Sequence, residues 1–305
     1  MRKLTEGRKM FFTVVGIFLV YSLVFIVFDD FDRQRFQILE GPNDSHLIAF
    51  TLIVLVILAA VVHRYAIHMD ERISREQAEQ QAAIRRELTQ DIAHELKTPA
   101  TSILGYLETL KEHPDIDPAQ RSLFVERSLG QAQRLTALLQ DITTLQRMDN
   151  VPDMEVFEPV DLALIISNVA KESALRLHKR RQTLLQRLPQ KQMPIQGNAT
   201  LLYGIFRNLT DNAIAYAGEG ATITISATES VRSWHFTFRD NGPGVPPQHL
   251  SRLFDRFYRV DKGRSRKLGG TGLGLAIVKN AVLLHGGVIT ASNDRGLRFD
   301  FTLRK

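Results

Sequence analysis

Residues Met10 to Phe28, MFFTVVGIFLVYSLVFIVF, form an uninterrupted uncharged run. As a helix it would span close to the ~30 Å of a bilayer's hydrocarbon core. A second run, Leu47 to Val62, LIAFTLIVLVILAAVV, is slightly shorter and is extended by Ser45, His46 and the long stem of Arg64, which can snorkel to an interface. Two such runs predict a membrane hairpin, with helices over 10–28 and 47–64 and a connecting loop over 29–46. A cleaved leader is the other reading of the first run. Its apolar stretch exceeds the usual 7 to 15 residues, however, and no small-x-small cleavage signal follows.

Basic residues orient the hairpin, because Lys and Arg resist translocation. Arg2, Lys3, Arg8 and Lys9 precede the first run, Arg64, Arg72 and Arg75 follow the second, and only Arg33 and Arg35 lie between. Both termini are therefore expected to be cytoplasmic, with residues 1–9 as a short N-terminal segment. The loop DDFDRQRFQILEGPNDSH is too small for a folded sensor domain. Its acids, Asp29, Asp30, Asp32, Glu40 and Asp44, read as a solvated connector, with binding of cations or cationic peptides as the alternative.

The formal net charge is +6, but Lys and Arg are interleaved with acids and form no aromatic-rich basic module, so direct nucleic-acid binding is not expected. The chain has no cysteine, which excludes disulfides, thiolate catalysis and Cys-based zinc sites. At 305 residues it has room for about two domains besides the membrane segments.

From about Glu71 to Lys111 the composition is helix-forming, interrupted only by Pro99. At about 100° per residue, Leu88, Ile92, Leu96, Ile103, Leu107 and Leu110 share one apolar stripe, whereas His94 falls about 200° round from Ile92 and Thr98 about 240°. His94 is thus expected on the water-facing side. No second metal ligand stands at i+3 or i+4, where Lys97 and Thr98 lie. Pro99 lacks an N–H and its ring clashes with the carbonyl of residue 95, so the helix should kink or loosen there. It should end near KEHPDIDPAQ, with Asp117 as N-cap of a second helix, Pro118 at its first position and Gln120 completing a capping box. Val125, Leu129, Ala132, Leu135, Leu139 and Ile142 continue an apolar stripe. A hairpin with stripes this narrow should dimerise into a four-helix bundle, making the chain a homodimer.

The stretch DIAHELKTPATSI resembles the phosphoacceptor motif of bacterial two-component sensor histidine kinases, at His94, Glu95, Thr98 and Pro99. Three stretches beyond residue 150 extend the resemblance to the ATPase superfamily shared by histidine kinases, gyrases, heat-shock chaperones and mismatch-repair proteins. RNLTDNAIAYA resembles the N box, with Asn208 and Asn212 four apart on one helix face, Asn212 as ligand of Mg²⁺, and Tyr216 on the nucleotide side. WHFTFRDNGPGVP alternates Trp234, Phe236 and Phe238 along a strand and resembles the G1 box, which implies that Asp240 reads the adenine amino group while Gly242 and Gly244 let backbone approach the base. GGTGLGLAIVK resembles the G2 box, Gly270, Thr271, Gly272, Leu273 and Gly274 opening a helix whose N–H groups meet phosphate. LFDRFYRVD resembles the F box at Phe254 and Phe257. The polar segment DKGRSRKLGG then reads as a mobile lid, and Arg256, Arg259, Arg264, Arg266 and Lys267 are available to phosphate, Arg259 being assigned to the nucleotide site. One departure stands out: many family members have a lysine where this chain has Ala215.

The resemblance covers residues from about 85 to the end. It implies a multidomain membrane protein: transmembrane hairpin, helical linker over 65–87, dimeric four-helix-bundle phosphoacceptor domain over 88–150, and α/β-sandwich ATP-binding domain over 151–305. The implied activity is autophosphorylation of His94 from Mg-ATP, with Glu95 taking a proton or orienting the ring. Transfer to an aspartate of a response regulator follows, with Thr98 orienting water in the reverse dephosphorylation, all at the bacterial inner membrane. The linker is too short for a separate signalling module, so motion would pass directly down the helix to Pro99. The alternatives are a membrane-anchored ATPase or a pseudokinase scaffold on the same nucleotide fold.

Overall fold

The computed structural model describes residues 44–149, 157–189, 191–261 and 270–305, together with Gly16. The chain divides after Thr89 into two units. The first expected membrane helix, 10–28, the loop 29–43, the boundary segment 150–156 and most of the expected lid, 262–269, lie outside the described residues.

In the first unit the described backbone is the helix α1, whose bounds are Asp44–Glu112. It takes in the second expected membrane run, with side chains described from Val54 onward. Leu55, Val56, Ile57, Val61 and Tyr65 are exposed along it. Among the described residues no helix is long and apolar enough to cross a membrane.

The second unit, Gln90 to Lys305, begins with a helical hairpin. Helix α1 ends at Glu112, two residues before Pro114, and α2 spans Pro118–Asp149. The turn between them is built as its residues dictate: Asp117 Oδ2 accepts from the backbone N–H groups of Ala119 at 3.1 Å and Gln120 at 3.2 Å, satisfying first-turn donors that no helix carbonyl can reach. Pro118 at the first position loses nothing by lacking a donor. Pro99, where a kink or loosening is expected, lies inside the helix. Helix α1 is continuous through it, and the ring is buried rather than marking an unpacked turn. Burial of the ring compensates in packing for the hydrogen bond the proline cannot make.

Of the stripe expected on α2, Ile142 is buried but Leu139 is exposed and its neighbour Leu138 is buried instead, so the apolar face of the hairpin is divided in two. Toward one end Leu104, Leu107, Leu123, Val125 and Leu129 remain exposed. Toward the other, Leu138, Ile142, Leu145 and Met148 are buried in the main core, and Ile92 and Leu96 pack against it.

That core belongs to an α/β sandwich. Its strands and helices, in chain order, are β1 (Glu158–Asp161), α3 (Leu162–Lys179), β2 (Thr183–Arg187), β3 (Pro194–Gly197), α4 (Ala199–Tyr216), β4 (Thr222–Glu229) and β5 (Ser233–Asp240). The short helix α5 (Pro247–Leu250), then α6 (Gly274–Leu284), β6 (Ile289–Asn293) and β7 (Leu297–Arg304) complete it. Five strands form one sheet in the order β2-β4-β5-β7-β6, with β2 parallel to β4 and the other pairs antiparallel, while β1 and β3 form a separate antiparallel pair. Period-two alternation turns Ile223 and Ile225, Trp234, Phe236 and Phe238, and Phe299, Phe301 and Leu303 to one face. Opposite partners in the register, Phe236 and Phe301, stack at 5.0 Å, and Phe206 from α4 meets Phe236 edge-on at 5.3 Å. Helix α4 packs on α3 and α6 to cover this face, and α6 also contacts α2, which joins the hairpin to the sandwich.

Candidate functional site

Strand β5 supplies the first group. The alternation that buries Trp234, Phe236 and Phe238 continues for one more inward position, and that position is Asp240. Its Oδ1 accepts from the N–H of Gly242 at 2.8 Å and of Leu297 at 3.3 Å. Burial pushes this carboxyl above its ordinary value, with the two backbone N–H groups pulling the other way. A carboxylate held this way at a strand end suits an amino group presented by a planar ligand. Backbone comes very close beside it: a Cβ on Gly242 would lie 2.6 Å from the Cα and carbonyl oxygen of Ala217, so no larger residue fits.

Helix α4 supplies the second group. Asn198 caps it, accepting from Leu201 N–H at 3.0 Å, and is itself fixed by donating its N–H to Nε2 of the buried His285 at 3.0 Å. One face of α4 carries Leu202, Ile205, Phe206 and Leu209 into the core; Asn208, Asn212 and Tyr216 lie half-buried beside it. Asn208 donates from Nδ2 to Gly204 O at 2.9 Å, which directs its amide oxygen toward Gly274, where an added Cβ would lie 2.8 Å from that oxygen. An amide oxygen is thus aimed at the glycine loop.

The loop 270–274 leads into α6. Gly272 adopts φ +78°, and a Cβ there would meet the Phe257 backbone and Arg259 Nε at 3.1 Å. Phe257 N–H donates to Gly272 O at 2.9 Å, and Phe257 itself has φ +60°, an uncommon conformation for an aromatic residue. Leu273 sends its side chain fully into the core and donates its N–H to Thr271 Oγ1 at 3.3 Å. The loop is therefore anchored by one buried leucine, leaving its backbone at a helix N-terminus, where an anion is favoured.

On the hairpin, His94 and Thr98 are exposed, as the helical wheel requires. Thr98 Oγ1 donates to His94 O at 3.2 Å. Glu95 is occupied differently from expectation: its Oε2 accepts from Arg259 at 3.2 Å and from Arg134 at 3.5 Å. Arg259 also donates to Gly270 O at 2.8 Å. One guanidinium thus joins the residue beside His94 to the first residue of the glycine loop. Two more ties cross the same interface, Thr271 Oγ1 donating to Asp141 Oδ2 at 2.7 Å and Arg256 pairing with both oxygens of Asp149 at 2.7 and 2.8 Å.

Two close approaches tie these elements together: Gly242, beside Asp240, lies against Ala217 at the end of α4, and Gly274 lies against Asn208 on the same helix, while Arg259 links Gly270 to Glu95. Arg264, Arg266 and Lys267 lie outside the described residues. Arg134, Asp141 and Asp149 were not singled out from sequence. For Asp141 a signal existed: it sits three residues after Leu138 and four before Leu145, on the stripe that is otherwise buried and apolar.

Two family models match the chain, His Kinase A (phospho-acceptor) domain over residues 84–151 and Histidine kinase-, DNA gyrase B-, and HSP90-like ATPase over residues 197–305. Among curated proteins, Sensor protein kinase WalK of Staphylococcus aureus is 30% identical over 277 residues, covering 87% of this chain and 66% of that protein. A longer form of the same relative, from strain JH9, is covered over 45% of its length. The chain thus spans from about half to just under two thirds of the curated relatives it matches. Among solved structures, Acinetobacter baumannii histidine kinase AdeS superposes with TM-score 0.57 at 24% identity, covering 69% of this chain and 97% of that one. Histidine kinase ThkA, in complex with response regulator protein TrrA, superposes with TM-score 0.59 at 21% identity over 74% of this chain and 64% of that one. At those identities the two structures speak for the fold.

Proposed function

We propose, starting from a chain that carries a histidine-kinase phospho-acceptor hairpin and a histidine-kinase-type ATPase domain in that order, that the protein is a sensor histidine kinase. It takes a phosphoryl group from ATP onto His94 and passes it to an aspartate of a response regulator. The observation that carries this reading is the Arg259 link between Glu95 and Gly270, which ties the phosphoacceptor turn to the glycine loop within one unit.

Phosphoryl transfer asks mainly for positioning and for neutralisation of charge spread over phosphate oxygens. The residues divide accordingly. Asp240, Gly242 and Gly244 hold the adenine end, Asn208, Asn212 and Tyr216 line the path to the phosphates, and residues Gly270 to Gly274 offer backbone N–H groups to them. The directed amide oxygen of Asn208, with Asn212 one turn on, fits Mg²⁺, a hard cation that keeps most of its ligands as water and phosphate. Asn212 would hold Mg²⁺ there, and the ion would supply charge neutralisation. Arg259 contributes positive charge of the kind that Ala215 does not offer. At the hairpin, His94 attacks through one ring nitrogen; Glu95 takes or orients the proton on the other as charge develops, and Thr98, one turn along the same exposed face, orients water for removal of phosphate from the regulator.

Membrane anchoring as a two-pass protein of the bacterial inner membrane, with both termini cytoplasmic, belongs to the same proposal; it is supported by the two uncharged runs, the flanking basic residues and the exposed apolar side chains of α1 near Val56. The homodimer is supported by the exposed apolar end of the hairpin, Leu104, Leu107, Val125 and Leu129. ThkA, solved with response regulator TrrA, supports the choice of partner. In this reading residues 88–150 are the dimerisation and phosphoacceptor domain and 151–305 the ATP-binding domain.

Incubation with γ-labelled ATP and magnesium tests the reading. Acid-labile, base-stable label on the wild-type protein and none on His94→Gln is the expected result. Label that survives His94→Gln would remove His94 as the acceptor, and steady phosphate release with no adduct would mean an ATPase of the same fold instead.

A further inference from the structure

We propose that two side-chain amides outside the N, G1, F and G2 boxes, Gln182 and Asn293, set how strictly this protein selects adenine, by fixing the two backbone segments that grip the turn carrying Asp240. The proposal rests on Asp240 reading the base, as above, and adds the residues that place it.

The turn runs from Asp240 to Val245, and two segments touch it. The first is the link from α4 to β4. An added Cβ on Gly242 would lie 2.6 Å from the Cα and carbonyl oxygen of Ala217, and Asn241 holds Thr222 twice, accepting its N–H on Oδ1 at 2.7 Å and donating its own N–H to Thr222 O at 3.2 Å. The second is the turn from β6 to β7. Leu297 donates its N–H to Asp240 Oδ1 at 3.3 Å, and an added Cβ on Gly296 would lie 2.0 Å from Asp240 O. With backbone packed this closely, a shift of either segment is passed to the carboxylate rather than absorbed.

Gln182 sets the first segment. It is buried between α3 and β2, and its Nε2 donates to Ile214 O at 3.3 Å and to Gly218 O at 2.6 Å, on either side of Ala217. Arg180, two residues earlier, donates to Ile214 O at 3.0 Å and Ala215 O at 3.3 Å. The end of a helix leaves such carbonyls without partners of its own. The orientation of the Gln182 amide follows, because reversing it would turn its oxygen toward two carbonyls. That oxygen is instead left buried with no hydrogen-bond partner among the described residues, so the two carbonyls are held although half of the amide is unsatisfied.

Asn293 sets the second. It is the last residue of β6, and both ends of its amide engage one residue: Nδ2 donates to Val245 O at 2.6 Å and Oδ1 accepts from Val245 N–H at 3.1 Å. The far end of the turn is thereby pinned to the segment that also supplies Leu297. Gly244, beside it, has φ +69°, and a Cβ there would lie 2.7 Å from Asn293 Oδ1, so a larger residue would push the amide away. The hydrogen bonds of both amides go to these backbone segments, and none among the described residues goes to the glycine loop or to the hairpin.

Adenine presents an amino group where guanine presents a carbonyl. A fixed carboxylate accepts from the first and repels the second, whereas one free to back away loses much of that contrast. Base selection therefore depends on how firmly Asp240 is held, which is what the two amides determine.

Displacement of a fluorescent ADP analogue from the full chain, by ADP and by GDP with magnesium, reads selection without any chemistry. The wild type should favour ADP by on the order of a hundredfold. Asn293→Ala and Gln182→Met should each weaken ADP by roughly three- to tenfold, the scale of one or two hydrogen bonds, and leave GDP nearly unchanged, so that the ratio falls by the same factor. Labelling of His94 at saturating ATP should change by less than about twofold, placing the defect in KM rather than kcat. Unchanged ADP binding, or ADP and GDP weakened equally, would overturn the role given to that amide. Asn293 is exposed, so its variant keeps the core intact and carries the test even where Gln182→Met does not fold. A wild type that binds ADP and GDP alike would overturn the proposal at its root, since Asp240 then reads no amino group. If the variants lose selection while no label reaches His94 in the wild type, the kinase reading fails and the two amides keep their role.

Discussion

The hairpin and the sandwich are built on opposite terms. In the sandwich, large apolar side chains such as Trp234, Phe206, Phe236 and Phe299 are essentially inaccessible, and the Asp240 carboxylate, proposed for the ligand, is buried with them. In the hairpin, Leu104, Val125 and Leu129 are 56%, 52% and 58% exposed, and His94, the proposed phosphoacceptor, faces water. The sandwich is complete as one chain, whereas the hairpin leaves one end of its apolar face uncovered. A binding pocket needs a fixed, dry frame. A relay residue that must meet both a nucleotide and a second protein cannot be enclosed.

Substituting matched apolar residues in the two regions gives the largest test of this contrast. Phe236→Ala removes a ring stacked on Phe301 and should destabilise the sandwich by about 3–5 kcal/mol, read as a fall in its thermal or denaturant midpoint. Leu129→Ala should leave that midpoint within about 0.5 kcal/mol and instead weaken self-association in sedimentation. Equal losses in both would break the contrast. Next in size, Asp240→Asn should weaken binding of an adenine nucleotide by about 1–3 kcal/mol, or roughly 5- to 150-fold, in titration calorimetry, while His94→Gln leaves it unchanged.

A pH effect is smaller and belongs to the sandwich. Burial lowers His285 below its ordinary 6.5, while it holds the N-cap of α4 through Nε2 and donates from Nδ1 to Ala281 O. A depressed pKa means the unfolded chain takes up the proton first. The stability is therefore fully present above about pH 6.5 and is lost as pH falls through the folded-state value. Unfolding midpoints from pH 8 to 5 should decline in the wild type and flatten in His285→Gln. The least effect expected is at the hairpin turn, where Asp117→Ala removes the acceptor for two first-turn N–H groups and should cost about 1 kcal/mol by hydrogen exchange of α2.

Local rules made much of this legible. Asp117 and Pro118 start α2 where their capping chemistry places it, His94 and Thr98 lie on the outward face of α1, and the alternation of β5 is the one its aromatics imply. At Pro99 the burial of the ring was not legible, because what packs against a proline comes from elsewhere in the fold. The stripe on the hairpin was legible as apolar but not as divided, since periodicity identifies a face without saying what covers it. The ties at Glu95, Asp141 and Asp149 were the least legible. They join residues 164, 130 and 107 positions apart, and beyond the place of Asp141 on an apolar stripe a carboxylate and its distant partner leave no local pattern.

The register of β5 carries a further meaning. Asp240 faces inward because it is the next inward position after Trp234, Phe236 and Phe238, while Arg239 beside it points out to pair with Asp294. A slip of one residue against β4 and β7 would put an arginine among the phenylalanines and take the carboxylate out of the pocket. In the proposed function, correct strand pairing and ligand discrimination therefore rest on the same register, so a folding error here would not yield a well-packed protein with altered nucleotide choice.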